Sequence, residues 1–420
     1  MNYEGKTKLK VFLALCGIVL LFFAASLTAN AAADGVIEAP HVRVVIDGAL
    51  GNYTDTPIEI NSRILLPFRE ILTKLGVPND DEHIIWNEEE ESVTVWDGKN
   101  EIKLVIGDPV MFLNGKAVTF DVAPYFYEKI NRTYVPVRAV SELLEKLIMW
   151  EDSTTTIFIR NKQNYKETLE LLEAMEAAGG QTKVSAASEG KIKMGISTDG
   201  VPIPGSNSEG VLSMTMDLTQ DIKADLDNNI LYVSQTVNVM GTNISSDVMM
   251  YKNKIFTKLD APGSKWTDVT DQGVGDLSSM LEQIKGISGQ MDARPASDVA
   301  MGLSSVKKAD GSFSLIGELV SITDVNSILG MVSGIMPEIG DMDIKMNISK
   351  FQIGETFDRD FNPIKSINSM VMGMSLKVDG DDGNSVTIFV DIDMNTTVKY
   401  DKIGPDFAVA VPDEVKDLAK

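Results

Sequence analysis

Asn131-Arg132-Thr133-Tyr134-Val135-Pro136-Val137-Arg138 repeats, at an offset of 69, the pattern of Ser62-Arg63-Ile64-Leu65-Leu66-Pro67-Phe68-Arg69. In each copy a polar turn leads into a short strand, then a proline, then an arginine. An amphipathic helix follows. Its apolar positions are Phe68, Ile71, Leu72 and Leu75 in the first copy, and Val137, Val140, Leu143, Leu144 and Leu147 in the second. Spacing of i, i+3, i+4, i+7 lines one face of a half-buried helix. Pro67 and Pro136 stand at the helix start, where a backbone N–H has no partner in any case.

Outward from this core the duplication continues. Ile84-Ile85-Trp86 precedes Val93-Thr94-Val95, and Ile148-Met149-Trp150 precedes Ile157-Phe158-Ile159. Each tryptophan follows an apolar pair and precedes a strand, so both are read as core rather than as sugar-stacking surfaces. Val42 to Asp47 alternates and ends in Asp47-Gly48. Ile102 to Ile106 ends in Gly107, and Met111-Phe112-Leu113 ends in Asn114-Gly115, a tight-turn signal. Residues 41–160 therefore read as a small domain of two strand-helix-strand copies.

These elements resemble the copper amine oxidase-like N-terminal domain of exported Gram-positive proteins. The residues that carry the resemblance are Ile46-Asp47-Gly48, Asn61-Ser62-Arg63, Leu66 to Arg69, Leu75-Gly76, Trp86, Ile106-Gly107, Asn114-Gly115, Arg132 to Arg138 and Trp150. Ser62 and Asn131 depart from the family's glycine, and Leu144-Glu145-Lys146 stands where a helix-ending Leu-Gly is expected. The resemblance implies a non-catalytic surface or stalk module and no copper. Copper amine oxidases use three histidines and a tyrosine in an Asn-Tyr-Asp/Glu context. This chain has only His41 and His83, and its Asn-Tyr pairs are followed by Thr54 and Lys166. His83, in Asp81-Glu82-His83, reads as a loop residue.

Arg69 and Arg138 are the polar residues that stand out in the repeats. Paired guanidinium groups at two pseudo-symmetric helix starts could clamp a carboxylate, for example on a cell-wall polymer. The simpler reading is preferred: each arginine binds groups of its own repeat and ties helix to sheet.

The N-terminus reads as a Sec-type export signal. Lys6, Lys8 and Lys10 precede the apolar run Val11 to Leu27, and Ala29-Asn30-Ala31 supplies the small-x-small cleavage pattern. The run is short for a bilayer span, so no stable membrane span is expected once residues 1–31 are removed. Cleavage would discard Cys16, the one cysteine, and a disulfide framework is excluded. With 38 basic and 61 acidic residues the net charge is −23, which repels nucleic acid.

Beyond the repeats, Asn164 to Ala178 reads as a helix capped by Gly179-Gly180, with the domain boundary near residue 162. Further helices are expected over 277–287, 296–306 and 324–335. The remainder reads as strands separated by tight turns, including Lys191–Ser197, Gly210–Leu218, Ile222–Asp225, Ile344–Ile353, Ile367–Val378, Val386–Asp393 and Thr396–Asp401. That is one meandering antiparallel sheet. The order resembles the LolA-like (lipoprotein carrier-like) half-barrel, on Met250-Tyr251-Lys252, Ile255 to Lys258, Gly263 to Trp266 and Val411 to Val415. That resemblance implies a curved sheet whose helices enclose a cavity for acyl chains.

Seventeen of the 21 methionines lie after residue 180. Met370, Met372 and Met374 alternate, as do Met214 and Met216, so each set shares one strand face. Methionine suits an adaptable apolar surface, whether as ligand lining or as ordinary core. The acidic stretches Asp225 to Asn229 and Asp379 to Asn384 lack the EF-hand ligand pattern and read as hairpin turns. No hydrolase, Walker, zincin or dinucleotide motif is present.

The expected fold class is α+β: residues 41–160 as a duplicated strand-helix-strand domain, then 163–420 as a large curved antiparallel half-barrel covered by helices. The expected protein is an exported, extracellular or envelope-associated non-enzyme without metal or cofactor. Its second domain would bind a lipid or other apolar ligand through Met214, Met216, Met370, Met372 and Met374. Its first domain, with Arg69 and Arg138, would make surface contact. The alternative is a structural or adhesive wall-associated protein with both domains fully packed.

Overall fold

The two halves of the repeat meet through equivalent strands. In the computed structural model, which describes residues 36–152, 154–178, 182–199, 203, 206–207, 209–270, 295–318, 343–379, 385–404 and 407–420, the chain begins with β1 (Ile37–Glu38), β2 (Arg43–Ile46) and β3 (Ala49–Leu50). The first copy follows as β4 (Ile58–Ile60), β5 (Arg63–Pro67), α1 (Phe68–Lys74), β6 (Ile84–Asn87) and β7 (Ser92–Trp96). Then come β8 (Glu101–Val105), β9 (Val110–Leu113) and β10 (Lys116–Thr119). The second copy is β11 (Tyr125–Tyr127), β12 (Arg132–Pro136), α2 (Val137–Leu143), β13 (Leu147–Glu151) and β14 (Thr156–Arg160), followed by α3 (Lys162–Ala178). The export signal, Cys16 and Gly179-Gly180 lie outside the described residues.

β5 and β12 pair antiparallel, Leu66 against Val135, Pro67 against Tyr134 and Leu65 against Pro136. Leu66 and Val135 hold the same place in the two copies, so a local two-fold axis passes between these strands. The same symmetry governs the turns. Arg63 Nε lies 2.5 Å from Asp121 Oδ2, and Arg132 Nε lies 3.2 Å from Asp55 Oδ2. Each arginine thus reaches the segment just before the other copy's first strand.

Three small sheets result, ordered β1-β4-β5-β12-β11, β10-β9-β8-β7-β6 and β13-β14-β2-β3. β14 and β2 are parallel. The apolar faces of α1 and α2 (Ile71, Leu72, Val137, Val140) join Leu66, Val135, Val93, Val95, Ile157 and Ile159 in one buried cluster.

Both helices end in the same hydrogen-bond motif. Val77 N–H donates to Leu72 O at 3.0 Å, and Lys146 N–H donates to Ser141 O at 2.8 Å. This motif needs a left-handed residue after the helix. Gly76 supplies it at φ 101°, and Glu145, the departure noted above, is driven to φ 55°. At the β4–β5 turn Asn61 and Ser62 take φ 50° and 58°. Both residues of such a two-residue hairpin turn sit at positive φ, where glycine is preferred at the second. Ser62→Gly is therefore expected to raise the stability of this unit by about 1 kcal/mol, read as a higher urea midpoint.

The described chain divides into two compact units. The first runs to Leu169 and also takes in Ala300–Ser304, and the second holds Glu170–Val299 and Ser305–Lys420. The distant segment enters the first unit at a buried arginine that sequence reading did not single out. Arg160 ends the buried strand β14 with 0% exposure. Its Nη1 donates to Ser304 Oγ at 2.6 Å and lies 3.7 Å from Asp47 Oδ1, and its Nη2 lies 3.3 Å from Thr168 Oγ1. Ser304 Oγ in turn donates to Asp47 O at 2.6 Å. Asp47, at φ 47° in the β2–β3 turn, also accepts the Asn161 N–H at 3.0 Å. Burial pulls the Arg160 pKa down, and the Asp47 carboxylate works against that shift.

The second unit holds β15 (Lys183–Thr198), β16 (Leu212–Asp225), β17 (Ile230–Val239), β18 (Thr242–Tyr251), β19 (Lys254–Leu259) and β20 (Thr267–Asp268). After α4 (Ala296–Gly302) come β21 (Leu303–Lys307), β22 (Phe313–Glu318), β23 (Asp343–Phe357), β24 (Pro363–Asp379), β25 (Ser385–Ile403) and α5 (Asp413–Leu418). One eleven-stranded sheet runs in the order β20-β19-β18-β17-β16-β15-β25-β24-β23-β22-β21. Its strand pairings among the described residues are antiparallel, and it curls as a half-barrel.

Strands dominate, so the class is mostly β, and the expected α+β description is corrected to that extent. The strands are also longer than expected. Gly210–Leu218 and Ile222–Asp225 are parts of β16, and Val386–Asp393 and Thr396–Asp401 are parts of the 19-residue β25. The helix expected over 296–306 stops at Gly302 and gives way to β21. The helices expected over 277–287 and 324–335 lie outside the described residues. The short helix α5 covers one end of the sheet, where Val415 packs with Met249, Phe256 and Trp266.

Candidate functional site

Strand register assembles the methionines into one surface. Met194 of β15 faces Met214 of β16, and Ile192 faces Met216. On the other side Ile192 faces Met394 and Met194 faces Ile392 of β25. Those two residues face Met370 and Met372 of β24, and Met374 faces Val390. Phe351 of β23 faces Met370, and Val239 of β17 faces Met216. Because alternate side chains point to the same face, a continuous apolar band crosses six strands.

Within it Ile192, Met194, Met216, Met370, Met372, Val390 and Ile392 are buried, while Met214, Met374 and Met394 are only partly so. The five methionines named from sequence therefore lie together in one cluster. Met194 and Met394 complete the set, and neither belongs to an alternating methionine pair. The back of the band is polar: Lys191 pairs with Asp217 at 3.3 Å, and Lys193 with Asp393 at 3.8 Å. α5 lies on this polar side, since Met249 and Phe256 alternate with Met250 and Ile255 of the apolar side.

Two rows from the band the same face turns polar. Ser366, Ser188 and Gln235 are buried there. Register places Glu355 opposite Ser366, then Val398, Ser188, Gln220, Gln235 and Ser246 across successive strands. Gln220 Nε2 donates to Gln235 Oε1 at 3.3 Å, and Gln235 Nε2 to Ser246 Oγ at 3.2 Å. Glu355 is surrounded by protein without being sealed off, and burial raises its pKa. Tyr400 is on the same face, one residue pair beyond Val398. Burial and the nearby Glu355 charge push its pKa to about 12.

In the first unit Trp86 and Trp150 correct the expectation of core packing. They are 43% and 40% exposed, and Trp150 Nε1 bonds Asp152. The apolar pair before each tryptophan does not determine its face. Ile84 is buried while Ile85 and Trp86 turn outward on a hairpin. Arg69 binds within its own repeat, to Asn79 Oδ1 at 3.3 Å and 3.7 Å from Asp81 Oδ1, and lies against Phe68. Arg138 is exposed and has no hydrogen-bond or ion-pair partner among the described residues.

Residues 45–159 match the family described as copper amine oxidase N-terminal domain. The donor set does not fit copper. His83 Nδ1 lies 2.7 Å from Asp80 Oδ1 and lowers the Asp80 pKa, and His41 is exposed. Among the described residues no three His, Cys, Asp or Glu side chains gather as metal ligands. No described helix is long and apolar enough to cross a membrane.

Among solved structures, the chain is similar to a DUF1329 family protein from Desulfovibrio piger at 11% identity. That match covers 59% of this chain and 95% of the other, with a TM-score of 0.18. A DUF1849 β-barrel-like protein from Brucella abortus matches at 12% identity over 53% of this chain and 98% of the other, with a TM-score of 0.17. No curated protein sequence matches.

Proposed function

We propose that this is an exported, non-enzymatic envelope protein whose second unit binds a lipid or other apolar ligand on the methionine face. The observation that carries the reading is the continuous apolar band from Val239 to Phe351, whose methionines include partly exposed members. Thioether side chains adapt to ligands of varied shape at little rotamer cost. Most side chains of the band are buried, and an acyl chain requires such a surface shielded from water.

Native mass spectrometry of the purified chain is expected to show a co-purifying apolar molecule, and organic extraction should release it. A chain that carries nothing and fails to bind the apolar dye 1-N-phenylnaphthylamine would refute the reading.

The first unit is read as a contact module for a surface polymer. Trp86 and Trp150 occupy equivalent places in the two copies and both are exposed, which suits stacking on sugar rings. Arg138 adds a free cation. A pull-down with purified cell wall is expected to retain the chain, and Trp86→Ala with Trp150→Ala to weaken retention. Retention without any apolar ligand would favour the structural or adhesive alternative.

A further inference from the structure

Across β15 to β19 and β22 to β25, register places one charged residue on the methionine face, Glu355. The neighbouring positions of that face are apolar or neutral polar. A β-bulge after Ile348 resets the parity of β23 and directs Phe351, Ile353 and Glu355 to the same side as Met370. The Glu355 carboxyl has no hydrogen-bond or ion-pair partner among the described residues.

An unpaired carboxyl on an apolar face is costly. Around it stand Ser366, Asn368 and Tyr400, with Ser188, Gln220 and Gln235 further along the row. The face thus divides into an apolar band for a chain and a polar belt with a single negative group for a head. Resting on the ligand-binding reading above, we infer that Glu355 receives the head of a long-chain amphiphile bearing an ammonium group. The apolar tail then lies along Met370, Met372, Met374, Met214 and Met216. A carboxylate or phosphate head is disfavoured by like charge, both at Glu355 and from the chain's net charge of −23. Burial raises the Glu355 pKa, and an adjacent ammonium would draw it back toward the ionised form.

The test is displacement of 1-N-phenylnaphthylamine from the purified full chain by dodecylamine, dodecanol and dodecanoate, which share a tail and differ in the head. Dodecylamine is expected to displace the dye at a concentration about tenfold or more below that of dodecanoate, the size of one charge-assisted hydrogen bond. Glu355→Gln is expected to bring the two within about threefold, leaving dodecanol nearly unchanged. The wild-type ratio tests the inference even if that variant fails to fold, which circular dichroism would reveal. Equal displacement by all three, or a preference for dodecanoate, overturns the assignment of the head and leaves the apolar face standing. A chain that binds no dye overturns both readings.

Discussion

Replacing Arg160 with alanine is expected to cost the first unit about 3 kcal/mol, near the lower end for breaking a buried ion pair. The guanidinium is fully buried, so the substitution leaves a polar cavity with Ser304 Oγ and Thr168 Oγ1 deprived of their donor. The Asp47 side chain keeps 35% exposure and can be rehydrated, which holds the loss below the upper end of the range. Ser304→Ala removes the bond to Arg160 and the bond to Asp47 O, and is expected to cost about 1–3 kcal/mol. Arg160→Lys should fall between wild type and alanine, because one ammonium cannot serve Ser304 and Thr168 at a fork's spacing. The measurement is urea unfolding followed by tryptophan fluorescence, since Trp86, Trp96 and Trp150 all belong to the first unit. An unchanged midpoint in Arg160→Ala would show that the node contributes nothing net.

The methionine face carries the second large effect. Met370 and Met372 are 4% and 2% exposed, and truncating either to alanine is expected to cost the second unit about 2–5 kcal/mol. The double variant should cost less than the sum, because both side chains pack on Met394 and Ile392 and share one cavity. Leucine at either place keeps the volume and should cost less than about 1.5 kcal/mol. Met374 is only partly buried. Met374→Ala is expected to weaken apolar-ligand binding with a small change in stability, and that contrast separates a ligand surface from a sealed core. Calorimetry reads the stability and dye titration the binding. A uniform loss of stability at all three positions, with dye binding intact, would point to plain packing.

The duplicated unit was legible because its signals are local. A polar turn, Pro67 or Pro136, and the helical spacing after it each act within a few residues, and they recur at a fixed offset. Alternation placed each methionine set on one face of its own strand, and strand register is what brings the two sets together.

What sequence reading missed depends on long-range geometry. Asp393 and Asn395 look like turn residues, yet they sit on the polar face of β25 while Met394 belongs to the methionine face. Their polarity marks a face and not a strand end. The β23 bulge cannot be counted in a sequence, so nothing in Ile344 to Phe357 announces that Glu355 shares a side with the methionines. Arg160 follows the buried run Thr156 to Ile159, and its partner Ser304 lies 144 residues away. Its signal was only a charge at the end of a strand whose other residues are all buried.

The order of strands in the large sheet bears on how the protein comes into being. β15, the first strand of that sheet to be synthesised, takes β25, the last, as its neighbour. Ile192 meets Met394 across about 200 residues of intervening chain, a contact of high sequence separation. The arm β15 to β20 can form early, but completion of the arm β21 to β25 and its seam with β15 both wait for the final strand to emerge. Until then β15 exposes an unpaired edge beside half of the methionine face, and pairing of such high sequence separation is of the kind that slows folding and leaves an edge open to other chains.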